Sequence, residues 1–170
     1  MREGRGTVFF VMGVSGCGKS TVGRLLAKEL ELPFFDGDDY HPKSNIDKMS
    51  KGKPLDDNDR LPWLQSINRL AMEHADSGCV IACSALKVKY RKILVEGLPR
   101  VFWIFLKGDY STILERIKKR SGHFMPEELL RSQFDALELP DNAIHVTVEL
   151  SPPEQVDEII RQWESNKKSG

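Results

Sequence analysis

The chain lacks the features that mark secreted, membrane-bound and disulfide-stabilised proteins. Only three of its 170 residues are cysteines, and Cys17, Cys79 and Cys83 form an odd set without metal-ligand spacing. This set suits a reducing compartment better than a disulfide framework. No apolar run approaches the roughly eighteen residues of a transmembrane helix, and the N-terminus shows no signal-peptide pattern. We therefore expect a cytoplasmic protein with no membrane partner.

An excess of charge of either sign is also absent. The sequence has 25 Lys and Arg residues against 25 Asp and Glu residues. Without a net positive field the chain has no general attraction for nucleic acid, so we expect a small-molecule partner. Internal repeats and low-complexity segments are absent too. The length and the 40% content of hydrophobic residues favour a single domain over residues 1–170 with a substantial core.

What the sequence does contain is a specific phosphate-binding motif. Residues 13–20 spell G-V-S-G-C-G-K-S, which matches the pattern G-x-x-x-x-G-K-[ST] without a mismatch. An apolar run at 7–12 precedes the motif and predicts a buried strand, and helical periodicity over 19–30 follows it. The motif therefore occupies a strand-to-helix turn whose free N–H groups bind phosphate, and it predicts a site for a nucleoside triphosphate.

The predicted nucleotide site extends from the first glycine of the motif into the helix. We expect Lys19 to reach the β- and γ-phosphates and the Ser20 hydroxyl to bind Mg²⁺. Cys17 is interpreted as a small side chain that the loop tolerates rather than as an oxidation-sensitive thiol. The predicted ATP-binding residues of this segment are Gly13, Val14, Ser15, Gly16, Cys17, Gly18, Lys19, Ser20 and Thr21.

Strand and helix patterns alternate along the whole chain. This alternation predicts an α/β fold in three layers, with a five-stranded parallel sheet between helices. Polar stretches at about 40–61 and 121–125 are candidates for a substrate flap and a lid. The predicted strands are 7–12, 32–35, 80–83, 101–106 and 143–150. The predicted helices are 19–30, 45–49, 88–96 and 111–120, with three more opened by Pro62, by Pro126 and by a capping box at 151–154.

A metal site needs a second protein group besides Ser20. Asp36 and Ser84 are the candidates, because both follow predicted strands at the edge where open parallel sheets bind ligands. Asp109 also follows a strand, but it directly precedes a helical pattern and is better interpreted as the N-cap of that helix. No Asn-Lys-x-Asp motif is present to bind guanine, which argues against a GTPase switch.

Two arginines lie four residues apart near the predicted lid. Arg116 and Arg120 share one helix face, so one guanidinium is expected to stack on adenine while the other reaches the transferring phosphate. We assign the adenine to Arg116 and the phosphate to Arg120. The alternative is a solvated helix end that favours cations near its C-terminus.

These features together resemble the branch of phosphate-loop kinases that contains the shikimate and nucleoside-monophosphate kinases, and within it the gluconokinases. The resemblance spans nearly the whole chain. One departure is Cys17, where such enzymes usually have Ser, and we expect little effect because the loop binds phosphate chiefly through backbone amides. Besides the phosphate loop, the resemblance rests on the strings DGDDYHP (36–42), SNIDKM (44–49), GKPLDDNDRLPW (52–63), CSALKVKYR (83–91), GHF (122–124) and QFDALELP (133–140).

The resemblance implies ATP-dependent phosphorylation of D-gluconate to 6-phosphogluconate, which feeds sugar-acid carbon into the pentose phosphate pathway. It also suggests a homodimer. Two alternatives stay open. The first alternative is a kinase for another small acceptor, such as shikimate or a nucleoside monophosphate. The second is a non-catalytic nucleotide-dependent binding module.

The resemblance also assigns roles to individual residues. Asp38 takes the position that meets the acceptor hydroxyl, where a carboxylate can receive its proton, although a mere turn residue is the alternative. With Lys19 and Arg120 it makes up the predicted catalytic set. The gluconate carboxylate needs a cation, and Arg60 has the strongest claim, while Lys87 and Arg91 serve either there or in structural pairs. The candidates for binding sugar hydroxyls are His41 and His123.

Overall fold

The computed structural model describes residues 4–120 and 126–169. Within these residues, five strands form one sheet. All of its pairings are parallel, and the strands lie in the order β2-β3-β1-β4-β5. The predicted five-stranded parallel sheet is thus confirmed. The strands are β1 (Val8–Met12), β2 (Phe34–Asp36), β3 (Cys79–Ala82), β4 (Val101–Lys107) and β5 (Ala143–Thr147).

Helices connect the strands and cover both faces of the sheet. The described residues form seven α-helices and a short 3₁₀ helix, Gly37–Tyr40, directly after β2. The helices are α1 (Lys19–Leu30), α2 (Lys43–Ser50), α3 (Asp57–Glu73), α4 (Val88–Val95), α5 (Tyr110–Lys119), α6 (Glu127–Ala136) and α7 (Pro152–Ser169).

The central strand β1 divides the interior into two cores. All five of its residues are fully buried, because neighbouring strands flank it and helices cover both of its faces. Phe9 and Val11 point into the core formed with α1, α5, α6 and α7. Val8, Phe10 and Met12 point into the core formed with α3 and α4. The three predicted layers follow from this alternation along a strand.

The start of α3 differs from the prediction that Pro62 opens this helix. The helix begins at Asp57, and Pro62 lies inside it. Asp56 is the N-cap, and a reciprocal capping box forms because its side chain accepts from the Asp59 amide while the Asp59 carboxylate accepts from the Asp56 amide. This cap supplies the N-terminal hydrogen bonds one turn earlier, so the proline marks the second turn instead of the start.

Two other predicted helix starts are confirmed by their hydrogen bonds. The Asp109 carboxylate accepts from the Thr112 amide at 2.8 Å, so Asp109 is the N-cap of α5. The Ser151–Glu154 capping box forms at the start of α7, with bonds of 3.0 and 3.3 Å. Within the described part of the chain, no helix is both long and apolar enough to cross a membrane.

Candidate active site

The phosphate loop lies at the carboxyl edge of the sheet, between β1 and α1. Gly13 has a φ of 153°, and a side chain there would meet the Cys17 Sγ at 2.7 Å. Gly18, the N-cap of α1, has a φ of 95° and has open space around it. The first glycine is therefore needed for space and conformation, and the second for its left-handed backbone alone. This geometry leaves the helix N-terminus facing the cleft.

The catalytic lysine candidate and the loop thiol have distinct environments. The Lys19 ammonium donates to the Val14 carbonyl at 3.1 Å, so it folds back over the loop that would hold the phosphates. The Cys17 side chain is buried, and burial raises the pKa of its thiol. A buried, protonated thiol is a packing group, which agrees with its interpretation as a tolerated small residue.

Two of the predicted metal ligands meet each other. The Ser20 hydroxyl donates to the Asp36 carboxylate at 2.6 Å, joining the first turn of α1 to the end of β2. The other oxygen of Asp36 accepts from the Asp38 amide at 3.0 Å. Ser84 also lines the cleft, and its carbonyl accepts from the Gly13 amide at 3.4 Å. Among the described residues, no group of three or more His, Cys, Asp or Glu could hold a metal by itself.

Asp38 faces the same space as the phosphate loop. It lies in the 3₁₀ helix that follows β2, at the carboxyl edge of the sheet. The residue is open to solvent, yet protein atoms surround its carboxylate in the cleft, and this desolvation raises its pKa. Lys19 opposes that rise, whereas the Asp36 carboxylate adds to it. Asp38 and Lys19 therefore line the same cleft, as neighbours in space.

A cleft of about 280 Å³ joins Lys19, Asp38 and Ser84, whereas Ser20 and Asp36 do not line it. Its volume is close to the lower limit of roughly 300 Å³ for small-molecule sites. One wall is the phosphate loop and the 3₁₀ helix, and the other comes from α2, α3 and α6. Six of the predicted residues line it, namely Ser15, Lys19, Asp38, His41, Arg60 and Ser84. Eight further lining residues were not predicted as site residues, namely Met49, Lys53, Pro54, Leu55, Trp63, Leu129, Ser132 and Gln133.

His41 is held in one orientation by its neighbours. Its ring stacks on Trp63 at 4.1 Å, and the Trp63 indole donates to the Gly37 carbonyl at 2.7 Å. Burial and the Arg60 charge lower the pKa of His41 to about 4, so the ring is neutral near pH 7. The buried Asn45 amide lies 3.2 Å from the His41 Nδ1 and donates to the Asp59 carbonyl. A neutral ring that accepts at Nδ1 carries its proton on Nε2, where it can donate to a substrate oxygen.

The three cations proposed for the acceptor carboxylate are not equivalent in the structure. Arg60 lines the cleft and projects from the second turn of α3. Lys87 lies outside that cleft, with its ammonium 5.8 Å from the centre of the Tyr90 ring. Arg91 is buried, and its guanidinium donates to the Ala85 and Glu138 carbonyls at 2.7 and 2.9 Å. Arg91 thus links the backbone at Ala85 to the backbone at Glu138, which is the structural role that the sequence analysis left open.

The two lid arginines also differ. The Arg116 guanidinium donates to the Val148 carbonyl, just beyond the end of β5. Arg120 is exposed at the C-cap of α5, and it does not line the cleft. His123 and the predicted lid at 121–125 lie outside the described residues.

Gln133 is the functional candidate that sequence reasoning missed most clearly. Its side chain accepts from the Ser15 amide at 2.7 Å and donates to the Ser15 hydroxyl at 2.9 Å, joining α6 to the phosphate loop. The two residues are 118 positions apart, so no local pattern could pair them. The only sequence signal was the string 133–140, to which no role was assigned.

A five-stranded parallel sheet, a phosphate loop and an acceptor cleft beside an aspartate define a phosphate-loop kinase for small molecules. The family model for shikimate kinase matches residues 15–163. The chain is 52% identical over 137 residues to the thermosensitive gluconokinase of Escherichia coli K12, across 79% of this chain and 73% of that protein. It is 44% identical to the thermoresistant gluconokinase of the same strain, across 86% of each chain.

A solved structure gives the same result for the fold. The crystal structure of a gluconokinase from Sinorhizobium meliloti 1021 superposes with a TM-score of 0.86 at 42% identity, over 96% of this chain and 97% of that one. The chain belongs to the gluconokinase family, within the wider group that the shikimate kinase model describes.

Proposed function

We propose that this chain transfers the γ-phosphoryl group of ATP to the terminal hydroxyl of D-gluconate, forming 6-phosphogluconate. The observation that carries the proposal is the single cleft in which the phosphate-loop lysine, Asp38 and Arg60 meet. These residues match the three parts of such an acceptor reaction, which are the phosphoryl donor, the attacking hydroxyl and the substrate carboxylate. The gluconokinases named above support the choice of acceptor.

The nucleotide side of the site would work by positioning and by charge. The loop amides and Lys19 would bind the β- and γ-phosphates. Lys19 is the only Lys or Arg among residues 13–20, so it would supply the positive charge of the loop. The Lys19 ammonium would exchange its bond to the Val14 carbonyl for the phosphate oxygens. Such fixed donors stabilise charge as it develops on the transferring group.

On the acceptor side, Asp38 would orient the attacking hydroxyl and receive its proton. A carboxylate with a raised pKa is a better proton acceptor than an ordinary one, provided that it is ionised at the working pH. The neutral His41 ring would donate through Nε2 to an acceptor oxygen. Asp38 lies within the 3₁₀ helix and His41 at its C-cap, and both line the cleft, so they can contact one substrate together.

The Ser20 hydroxyl and the Asp36 carboxylate fit a magnesium ion bound with ATP. Both supply oxygen donors, which Mg²⁺ prefers, and their 2.6 Å contact places them side by side. Ser84 would complete the set through water. A bound Mg²⁺ neutralises charge on the phosphates and so assists their attack by the hydroxyl.

Arg60 is the cation best placed for the substrate carboxylate. It lines the cleft, and within residues 4–120 and 126–169 no carboxylate forms an ion pair with it. Its charge is therefore not neutralised by a direct neighbour. Lys53 is the other flap cation in the cleft and would add to the positive potential.

Replacing Arg116 with alanine is expected to weaken ATP binding about fivefold while leaving kcat at saturating ATP nearly unchanged. The reason is that its planar guanidinium lies beside the end of β5, at the sheet edge where nucleotides bind, and we propose that it stacks on adenine. Isothermal titration with a non-hydrolysable ATP analogue measures the effect. Lys118→Ala, an exposed change on the same helix, is the control. Equal, mild effects of both changes would favour a solvated helix end.

Arg120 keeps a proposed role at the γ-phosphoryl oxygens. Because Arg120 is exposed at the end of α5, this role requires the helix end to approach the cleft when the nucleotide is bound.

The homodimer that the family resemblance suggests is a separate expectation. Light scattering of the purified chain tests it, and a mass near that of one chain would contradict it.

The reaction is tested by coupled ADP release with gluconate, glucose, shikimate and AMP as acceptors. We expect the specificity constant for gluconate to exceed the others by a factor of about 100 or more, because only gluconate combines a carboxylate for Arg60 with a flexible terminal hydroxyl for Asp38. Equal values for gluconate and glucose would contradict the proposal. A preference for shikimate or AMP would assign the cleft to another kinase of this fold.

A further inference from the structure

Outside the cleft, Arg60 is bound by a chain of hydrogen bonds that the proposed reaction does not use. Its Nη1 donates to the Tyr90 hydroxyl at 2.9 Å, and this hydroxyl donates to the Asp57 carboxylate at 2.5 Å. The Lys89 ammonium donates to the other oxygen of Asp57. We call these four residues the Arg60 chain. It runs from the cleft, between α3 and α4, to the protein surface.

The direction of each bond in the Arg60 chain is fixed by chemistry. A guanidinium can only donate and an ionised carboxylate can only accept, so the tyrosine hydroxyl must accept from one and donate to the other. Hydrogen bonds from Lys89 and Tyr90 lower the pKa of Asp57 to about 2. Burial and the bond to Asp57 raise the pKa of Tyr90. Near neutral pH the carboxylate is therefore charged and the hydroxyl protonated.

The placement of a neutral hydroxyl between Arg60 and Asp57 has two consequences. First, Asp57 polarises the hydroxyl and strengthens its bond to Arg60 without making a direct ion pair that would neutralise the guanidinium. Second, the guanidinium lies 5.2 Å from the centre of the Tyr90 ring, so ring and hydroxyl together restrict its rotation. Fixing a long side chain before binding reduces the entropy lost when a ligand is bound.

We propose that Tyr90 is a positioning residue for the acceptor, whose hydroxyl holds Arg60 in the orientation that receives the substrate carboxylate. The proposal rests on the proposed function, because it takes Arg60 as the group that binds gluconate. Tyr90 is buried and does not line the cleft, so it acts on the substrate only through Arg60. Its effect should therefore fall on gluconate binding and not on ATP binding.

Tyr90→Phe tests this inference, since it removes the hydroxyl and keeps the buried ring. We expect the gluconate KM to rise about three- to tenfold, with the ATP KM and the unfolding temperature close to those of the parent. A purely structural role would lower the unfolding temperature or change both KM values. Asp57→Ala removes the carboxylate that accepts from the Tyr90 hydroxyl. It should also raise the gluconate KM, but by less than Tyr90→Phe does.

Tyr110→Phe, elsewhere in the protein, is a matched control for Tyr90→Phe. Tyr110 also donates to a carboxylate, that of Glu127, at 2.9 Å, and also carries an arginine over its ring, Arg131 at 5.0 Å. None of these three residues lines the cleft. Loss of the Tyr110 hydroxyl should therefore leave the gluconate KM unchanged.

A double variant separates positioning from other effects. In an Arg60→Ala background, Tyr90→Phe should cause no further rise in the gluconate KM, because the group that it positions is absent. Additive effects, or a gluconate KM unchanged in the single variant, would overturn the inference while leaving gluconate phosphorylation intact. A parent enzyme without gluconate-dependent ADP release would overturn the proposed function, and the inference with it.

Discussion

Replacing Asp38 with asparagine is expected to lower kcat by about 10² to 10⁴ while ATP affinity stays within about twofold of the parent. Asparagine keeps the size and much of the hydrogen bonding of the side chain but cannot accept the hydroxyl proton. Among the described residues, no group of the phosphate loop donates a hydrogen bond to this carboxylate, and the Lys19 ammonium donates to the Val14 carbonyl instead. Steady-state kinetics and nucleotide titration measure the two effects separately.

The neighbouring Asp39 provides the control for this change. It is exposed in the same 3₁₀ helix but does not line the cleft. Asp39→Asn should therefore alter kcat by less than about threefold, through the small effect of its charge on Asp38. If Asp38→Asn also keeps activity within about fivefold of the parent, Asp38 is only a turn residue and the proposed mechanism is wrong.

The pH dependence of the parent gives a second test of Asp38. Protonation of Asp38 removes the proton acceptor, so kcat/KM should fall as the pH decreases through the Asp38 pKa of the free enzyme. Desolvation raises this pKa, which places the acidic limb above the usual range of an aspartate. In Asp38→Asn this limb should disappear from the residual activity. A limb that persists unchanged would belong to another group.

Arg60→Ala is expected to raise the gluconate KM by a factor corresponding to about 2 to 5 kcal/mol, which is the cost of truncating one partner of a desolvated charge pair. The ATP KM should change little, because Arg60 projects from α3 and makes no contact with the phosphate loop among its described hydrogen bonds. Initial rates over a matrix of ATP and gluconate concentrations separate the two constants.

The same helix supplies a control for Arg60. Arg69 is an arginine of α3 whose guanidinium donates to the Ser66 hydroxyl and does not line the cleft. Arg69→Ala changes the net charge by the same amount and should leave the gluconate KM unaltered. A gluconate KM within about twofold of the parent in Arg60→Ala would transfer carboxylate binding to another cation, with Lys53 the first candidate in the cleft.

The parts of this site that local patterns encode could be predicted from the sequence. The phosphate loop combines fixed letters with a strand and a helix, and α1 spans the predicted residues 19–30. Asp36 and Asp38 could be placed at the sheet edge because they follow the residues of a predicted strand. The capping aspartate of α5 was predicted for a similar reason, since N-caps depend on a few adjacent residues.

Tertiary packing determined the parts that could not be predicted. Gln133 reaches Ser15 across 118 residues, and the Trp63 ring under His41 depends on how α3 packs against the 3₁₀ helix. The difference between Arg60 and Arg91 is of the same kind. Both lie in family-specific strings, and only the fold directs one into the cleft and the other onto the Ala85 and Glu138 carbonyls.

Product analysis tests the central claim most directly. The purified chain is incubated with MgATP and gluconate, and the products are followed by phosphorus NMR with a parallel measurement of ADP. The account predicts one phosphomonoester of gluconate, esterified at the terminal hydroxyl, for each ADP formed. ADP accompanied only by inorganic phosphate, at a rate independent of gluconate, would contradict it.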